Sequence, residues 1–361
     1  SKTRDPSSPK SHLLMSCQFP VFRIRGVRIP VVTAVVTILF AAITTSFLPA
    51  APATPLEQAL ASVRRADLKQ HINTLASDTL RGRAAGSQGG QAAGAYLVQQ
   101  LRRIGLKPAG GDGDFYQEFS ERGFRNVLSV LPGTDPELKD RFIVIGAHYD
   151  HVGLGTKRTS LGGIGQIHNG ADDNASGVAA LICGIRALLG EPADFAAPQR
   201  TLLVVAFAAE EVGLGGSSWY VRHPLRPLEQ TVAMVNLDMV GRLRNDRLMA
   251  LGTDSAPGWE TLIDRHAPEL GLEVESGGHG YGPSDQLPFY QQQIPVAHLF
   301  TGAHPQYHTP QDDIEMLNTN GGQRIAVFLS MLLGDLLRAP KHLAFAAAET
   351  GPLHLGDTRG Y

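Results

Sequence analysis

The chain has little cysteine and no marked excess of either charge, and each shortage excludes a class of protein. Two cysteines, Cys17 and Cys183, among 361 residues are too few for a disulfide framework or a cysteine-ligated zinc site. Lys and Arg total 32 against 34 for Asp and Glu, a formal net charge of -2, and no basic block interleaved with aromatics lies outside the extreme N-terminus. Nucleic acid is therefore not an expected partner. Any bound metal must be held by His, Asp and Glu.

The first 53 residues predict an export segment. Residues 1–28 are polar and basic, residues 29–48 contain no charged residue, and the small residues of 51–53 have a spacing compatible with cleavage. This is the layout of a signal peptide. Because about 20 apolar residues can also span a bilayer, an uncleaved membrane anchor at 29–48 stays open. We expect a protein that is exported, periplasmic or secreted, or attached to the membrane through this segment.

The rest of the chain alternates between strand and helix patterns. Short apolar runs typical of strands buried on both faces lie at 141–147, 201–208, 231–237 and 294–301. Helical periodicity is found at 67–75, 91–104, 175–189, 258–270 and 322–337. This order predicts an α/β fold, a three-layer α/β/α sandwich around a mainly parallel, mixed sheet. We expect one domain over 56–340 and a C-terminal tail over 341–361.

Polar side chains follow the predicted strands at the edge where reactive groups of such folds collect. They are His148 and Asp150, Glu210 and Glu211, Asp238, and His304 and His308, while Asp172 and Asp173 precede a helix. Carboxylates brought together raise one another's pKa unless a cation neutralises them. A set of His and carboxylate ligands without thiolate suits zinc, and cobalt or manganese less well.

Five segments in order carry a resemblance to a known family. They are 147–150 (AHYD), 169–177 (NGADDNASG), 209–217 (AEEVGLGGS), 236–241 (NLDMVG) and 307–312 (YHTPQD). The set resembles the motifs of the M28 zinc aminopeptidases, of the bacterial, exported, leucyl-aminopeptidase-like kind. The resemblance covers about residues 68–337 and implies a zinc-exopeptidase fold with 56–340 as the catalytic domain.

The resemblance also implies a role for each motif residue. Asp173 would bridge two zinc ions, His148 and Asp238 would complete one zinc site, and Glu211 and His308 the other. Glu210 would be the general base that takes a proton from a metal-bound water to form hydroxide. The carboxylate of Asp150 would orient His148 through the other ring nitrogen of the histidine. Tyr307 is a candidate donor to the oxyanion.

Some residues depart from the family pattern or find no place in it. The loop 280–285 resembles one that lines the pocket, but Gln286 stands where many members have His, and Arg81 stands where an acidic residue is common. The pattern leaves no ligand position for five further histidines, His151, His168, His279, His298 and His304.

The implied function is the removal of N-terminal residues from peptides with a free N-terminus. The alternatives are a carboxypeptidase or a one-zinc glutaminyl cyclase on the same scaffold, or a noncatalytic, receptor-like relative. The oligomeric state stays open.

Overall fold

The fold is built around a β-sheet whose central strands are the apolar runs of the sequence. The structure, a computed structural model, describes residues 54–190 and 198–347. The strands are β1 (Lys107–Pro108), β2 (Tyr116–Glu118), β3 (Arg125–Leu131), β4 (Phe142–His148), β5 (Thr201–Phe207), β6 (Thr231–Leu237), β7 (Arg247–Leu251), β8 (Glu273–Gly277) and β9 (Val296–Phe300). The helices are α1 (Pro55–Ser62), α2 (Arg65–Leu75), α3 (Gln88–Arg103), α4 (Gly177–Leu189), α5 (Gly215–Arg222), α6 (Gly258–His266), α7 (Gln286–Gln291) and α8 (Thr319–Arg338).

The sheet is parallel at its centre and mixed toward its edges. Its strands lie in the order β1, β3, β5, β4, β6, β9, β7, β8, and β2 pairs with β3. The neighbours β5, β4, β6 and β9 run parallel. The strands β1 and β2 are antiparallel to β3, β3 is antiparallel to β5, and β7 is antiparallel to β9. The predicted α/β fold with a mainly parallel, mixed sheet is confirmed.

Helices cover both faces of this sheet. Successive side chains of a strand point to opposite faces, and in β4 Ile143 and Ile145 belong to one core while Val144 belongs to another. The first core includes buried residues of α2, α3, α4 and α8, and the second includes Tyr220 of α5 and Phe289 of α7. The strands β4, β5 and β6 are buried over their whole length, which explains why their sequences are almost continuously apolar.

The predicted elements agree closely with the observed ones, with one informative difference. The predicted strand at 231–237 coincides with β6. The predicted helix at 258–270 ends at His266, and Pro268–Leu270 forms a separate 3₁₀ turn. Pro268 has no backbone N–H to continue the helical hydrogen bonds, so the helix ends before it.

Both ends of the sequence lie partly outside the described residues. The predicted export segment at 1–53 is outside them, so it stays a prediction, as do residues 348–361 of the tail. The first part of the tail packs on the domain, since Ala346 N–H donates to Ser255 O at 2.8 Å and the Phe345 ring lies 5.6 Å from that of Tyr290. Among residues 54–190 and 198–347, no helix combines the length and apolarity needed to cross a bilayer.

Candidate active site

The carboxyl ends of the four central parallel strands carry the candidate site. His148 is the last residue of β4, Glu210 and Glu211 follow β5, Asp238 follows β6, and His308 lies in the loop after β9. Because neighbouring parallel strands end at the same edge of the sheet, these side chains converge although they are far apart in sequence.

Asp173 lies at the centre of the cluster. It belongs to the irregular turn Ala171–Ser176 that leads into α4, and its side chain is nearly fully buried. Its Oδ1 lies 3.2 Å from Nε2 of His148, and its Oδ2 lies 3.1 Å from Nε2 of His308. Each carboxylate oxygen therefore faces a different histidine.

A second carboxylate completes each half of the cluster. Asp238 Oδ1 lies 3.3 Å from His148 Nε2, and Glu211 Oε2 lies 3.0 Å from His308 Nε2. Ligand atoms arranged tetrahedrally at about 2.0–2.1 Å from a zinc ion are separated by about 3.3 Å. The two halves, His148 with Asp173 and Asp238, and Asp173 with Glu211 and His308, thus have the spacing of metal ligands.

The electrostatics of the cluster also fit a bound cation. Within the described part of the chain, Asp173 Oδ2 and His308 Nε2 are buried atoms without a partner in hydrogen-bond geometry. Burial opposes ionisation of Asp173, but the facing histidines hold the pKa of its carboxyl group well below its usual value. Burial opposes protonation of His308, but the close carboxylates of Asp173 and Glu211 outweigh burial and raise the pKa of His308 to about 10. A cation bound here would supply the positive charge that the carboxylates otherwise draw from the histidines.

A buried polar network holds the turn that carries Asp173. The backbone N–H groups of Asp172 and Asp173 both donate to Asp312 Oδ2 at 3.0 Å, and Arg242 donates to Asp312 Oδ1 at 2.8 Å. Asp172 itself faces away from the cluster, where its Oδ1 accepts from Gly241 N–H at 2.7 Å. Of the two adjacent aspartates, one therefore supports the local fold and the other points into the site.

The contact made by Asp150 differs from the expected one. Nδ1 of His148 lies 3.2 Å from the backbone carbonyl oxygen of Asp150 and 3.9 Å from its carboxylate. The carboxylate instead accepts from the backbone N–H of Glu210 at 3.2 Å. Asp150 thus orients His148 through its main chain and supports the Glu210 segment through its side chain. Burial raises the pKa of Asp150 to about 6.

A cavity of about 270 Å³ opens beside the cluster. Glu210, Asp238 and Tyr307 line its polar end together with Asp173. Its walls include the apolar side chains of Met239, Leu251, Pro283 and Phe300. The predicted loop 280–285 contributes to this lining, and so does Gln286.

Three of the groups that line the cavity, Glu210, Tyr307 and His298, have shifted pKa values. Burial raises the pKa of Glu210 well above its ordinary value, with Asp238 and Asp285 acting in the same direction against His148. Burial also raises the pKa of Tyr307, so its hydroxyl keeps its proton, and lowers the pKa of His298 to about 4, so its ring is neutral. The Tyr307 ring stacks on that of His308 at 3.9 Å.

Two residues have contacts at the site that the sequence did not predict. Arg83 is fully buried, and its guanidinium donates to five backbone carbonyl oxygens, those of Leu75, Tyr149, Asn169, Gly170 and Asp173. His151, which the sequence leaves without a ligand position, lies inside the cluster with Nδ1 2.8 Å from Glu211 Oε1. The one sequence signal for His151 is its position three residues after His148, and the main-chain partners of Arg83 leave no such signal.

The fold and this cluster define an α/β protein with a candidate dinuclear metal centre. The model of peptidase family M28 matches residues 126–333, more than half of the chain. The chain belongs to peptidase family M28.

Known proteins share both the sequence pattern and the fold. Aminopeptidase YwaD of Bacillus subtilis (strain 168) is 29% identical over 233 residues, covering 62% of this chain and 47% of that protein. The chain thus spans about half the length of the curated relatives it matches first. BSAP, a zinc aminopeptidase from Bacillus subtilis, has a similar structure at 18% identity, with a TM-score of 0.61 over 77% of this chain and 96% of that one. The glutaminyl cyclase of Porphyromonas gingivalis is as similar in fold, at 19% identity and a TM-score of 0.60 over 75% and 98%.

Proposed function

We propose that this chain is a zinc metallo-aminopeptidase that holds two zinc ions and removes N-terminal residues from peptides. The observation that carries the proposal is the pair of oxygens on Asp173, each facing a separate histidine and carboxylate. One zinc ion would be held by His148, Asp173 and Asp238, and the other by Asp173, Glu211 and His308. The kinship with aminopeptidases named above supports this choice.

The side chains around the two proposed zinc positions would carry out the proton transfers of the reaction. Bound zinc lowers the pKa of a coordinated water to about 7 and polarises a carbonyl group. Glu210 lies next to a ligand without being one, so its carboxylate is free to accept the proton of the attacking water and to return it to the leaving amine. Burial raises the pKa of Glu210 in the metal-free protein, and positive charge nearby offsets that effect.

Tyr307 and the cavity would orient the substrate. The Tyr307 hydroxyl, kept protonated by burial, donates a hydrogen bond to the oxygen of the scissile carbonyl. The free amine of the peptide lies near Asp238, and the side chain of the N-terminal residue enters the cavity. The apolar walls formed by Met239, Leu251 and Phe300 favour an apolar residue there.

The fold does not separate this function from glutaminyl cyclisation, so the test must compare activities. Metal-stripped and zinc-restored protein is assayed on a panel of aminoacyl anilides, on dipeptides with a blocked N-terminus and on N-terminal glutaminyl peptides. We expect hydrolysis of free aminoacyl anilides that is lost with the metal and restored by two equivalents of zinc. Cyclisation with one tightly bound zinc would contradict the proposal, as would cleavage of blocked substrates alone.

Two Glu→Gln variants, one at the site and one outside it, test the proton transfer. Glu210→Gln keeps the size of the side chain but cannot accept a proton, so kcat should fall by about 10²–10⁴-fold while zinc content stays at two. Glu229→Gln, at an exposed glutamate outside the cavity lining, is the matched control and should keep full activity. A Glu210→Gln protein with full activity would remove Glu210 as the base.

A further inference from the structure

His151 contacts every side chain of one proposed zinc position. Its side chain is fully buried, and its Nδ1 lies 2.8 Å from Glu211 Oε1 and 3.6 Å from Asp173 Oδ2. Its ring lies against the edge of the His308 ring, with centroids 5.5 Å apart and an interplanar angle of 79°. The same four residues form a group whose ligand atoms converge.

The two oxygens of Glu211 have different partners. Oε2 faces His308 at 3.0 Å, on the side where the metal would lie, and Oε1 faces His151 at 2.8 Å. A carboxylate only accepts hydrogen bonds, so the hydrogen of this contact is on Nδ1 of His151. The bond fixes the rotation of the Glu211 carboxylate and occupies the oxygen that does not face His308.

We propose that His151 is a positioning residue that holds Glu211 as a one-oxygen ligand of the zinc shared with His308 and Asp173. The inference rests on the proposed function, because it requires that the cluster binds zinc. Groups that hydrogen-bond to a metal ligand orient it, and their loss typically weakens metal binding by about 10–100-fold.

A purely structural role would depend on shape and not on the N–H group. His151 packs against the backbone of Gly170, where an added Cβ would come within 2.5 Å of the imidazole ring. The positioning role and the purely structural role therefore predict opposite orders of zinc affinity for two variants. His151→Asn is smaller but can place an N–H where Nδ1 lies, whereas His151→Leu fills the space without a donor.

The test is a zinc titration of the whole chain in competition with a chromogenic chelator. In His151→Leu we expect the affinity for one of the two zinc equivalents to fall about 10–100-fold while the other is unchanged. His151→Asn should restore most of that affinity. His151→Met, a flexible side chain without a donor, should behave like the Leu variant and provides a second non-donating protein if Leu does not fold. His168→Leu removes a buried histidine that bonds Ser160 outside the cluster and is the matched control.

The outcomes separate this inference from the function on which it rests. A wild-type protein that binds two zinc ions, with unchanged affinities in the Leu and Met variants, would overturn the role of His151 alone. An Asn variant as weak as the Leu variant would also overturn it, since the N–H group would not be what matters. A wild-type protein that binds no zinc would overturn both proposals.

Discussion

The buried guanidinium of Arg83 joins main-chain segments that carry the candidate site. Its carbonyl partners come from three separate parts of the chain, namely Leu75 at the end of α2, Tyr149 next to His148, and the segment 169–173 that includes Asp173 itself. Arg83→Lys keeps the positive charge but reduces five N–H donors to three. At least two buried carbonyl oxygens then lose their partner, and each costs about 1–3 kcal/mol. We therefore expect the free energy of unfolding to fall by about 2–6 kcal/mol.

Equilibrium urea unfolding of the metal-stripped proteins measures this loss, because without metal the result reports on the polypeptide alone. The neighbouring Arg81 is exposed, so Arg81→Lys is a matched control expected to change stability by less than about 0.5 kcal/mol. A loss below about 1 kcal/mol in Arg83→Lys would refute the reasoning, since the carbonyl groups would have found other partners.

The remaining predictions concern pH, backbone space and metal. Burial lowers the pKa of His71 to about 4, so the unfolded chain takes up a proton near pH 6.5 and the folded protein only near pH 4. Stability therefore falls as the pH decreases from about 6.5 to about 4. Between pH 7 and pH 5, urea unfolding should show that the wild-type protein loses about 2 kcal/mol more of its free energy of unfolding than His71→Gln does. An equal dependence on pH in the two proteins would contradict this prediction. Gly82 has φ +69, and a Cβ there would overlap Gly153 O, so Gly82→Ala should lower the thermal midpoint far more than Gly105→Ala, where φ is +86 and the space is open. Equal shifts in the thermal midpoint would contradict this prediction, because they would show that the positive φ alone, and not the overlap with Gly153 O, destabilises the alanine variants. Chelation of zinc should lower the melting temperature, because the ions bind only the folded state, and an unchanged midpoint would argue against bound metal.

The centre of the fold is predictable from sequence because its strands are buried on both faces. The runs that become β4, β5, β6 and β9 are almost continuously apolar, and polar residues follow each of them. The edge strands are not predictable in this way. β8 is largely exposed and β1 has two residues, so neither has an apolar pattern. Likewise α7 is six residues long, too short for helical periodicity to show.

The candidate site is predictable only in part. Strand ends indicate which carboxylates and histidines converge, but the roles of Asp173 and His308 follow from the resemblance to the family. The contact between His151 and Glu211 joins residues 60 positions apart, and no local pattern marks it. Arg83 is buried without a carboxylate in hydrogen-bond contact among the described residues, which its residue type does not predict. Its partners are main-chain oxygens, which carry no sequence signal.

The shared carboxylate of Asp173 is the central claim, and locating zinc by anomalous diffraction tests it most directly. Crystals of the zinc-loaded protein, measured on both sides of the zinc absorption edge, should show two peaks. One should lie between His148 and Asp238 and the other between Glu211 and His308, with Asp173 between them. A single peak, or peaks that do not contact Asp173, would contradict the account.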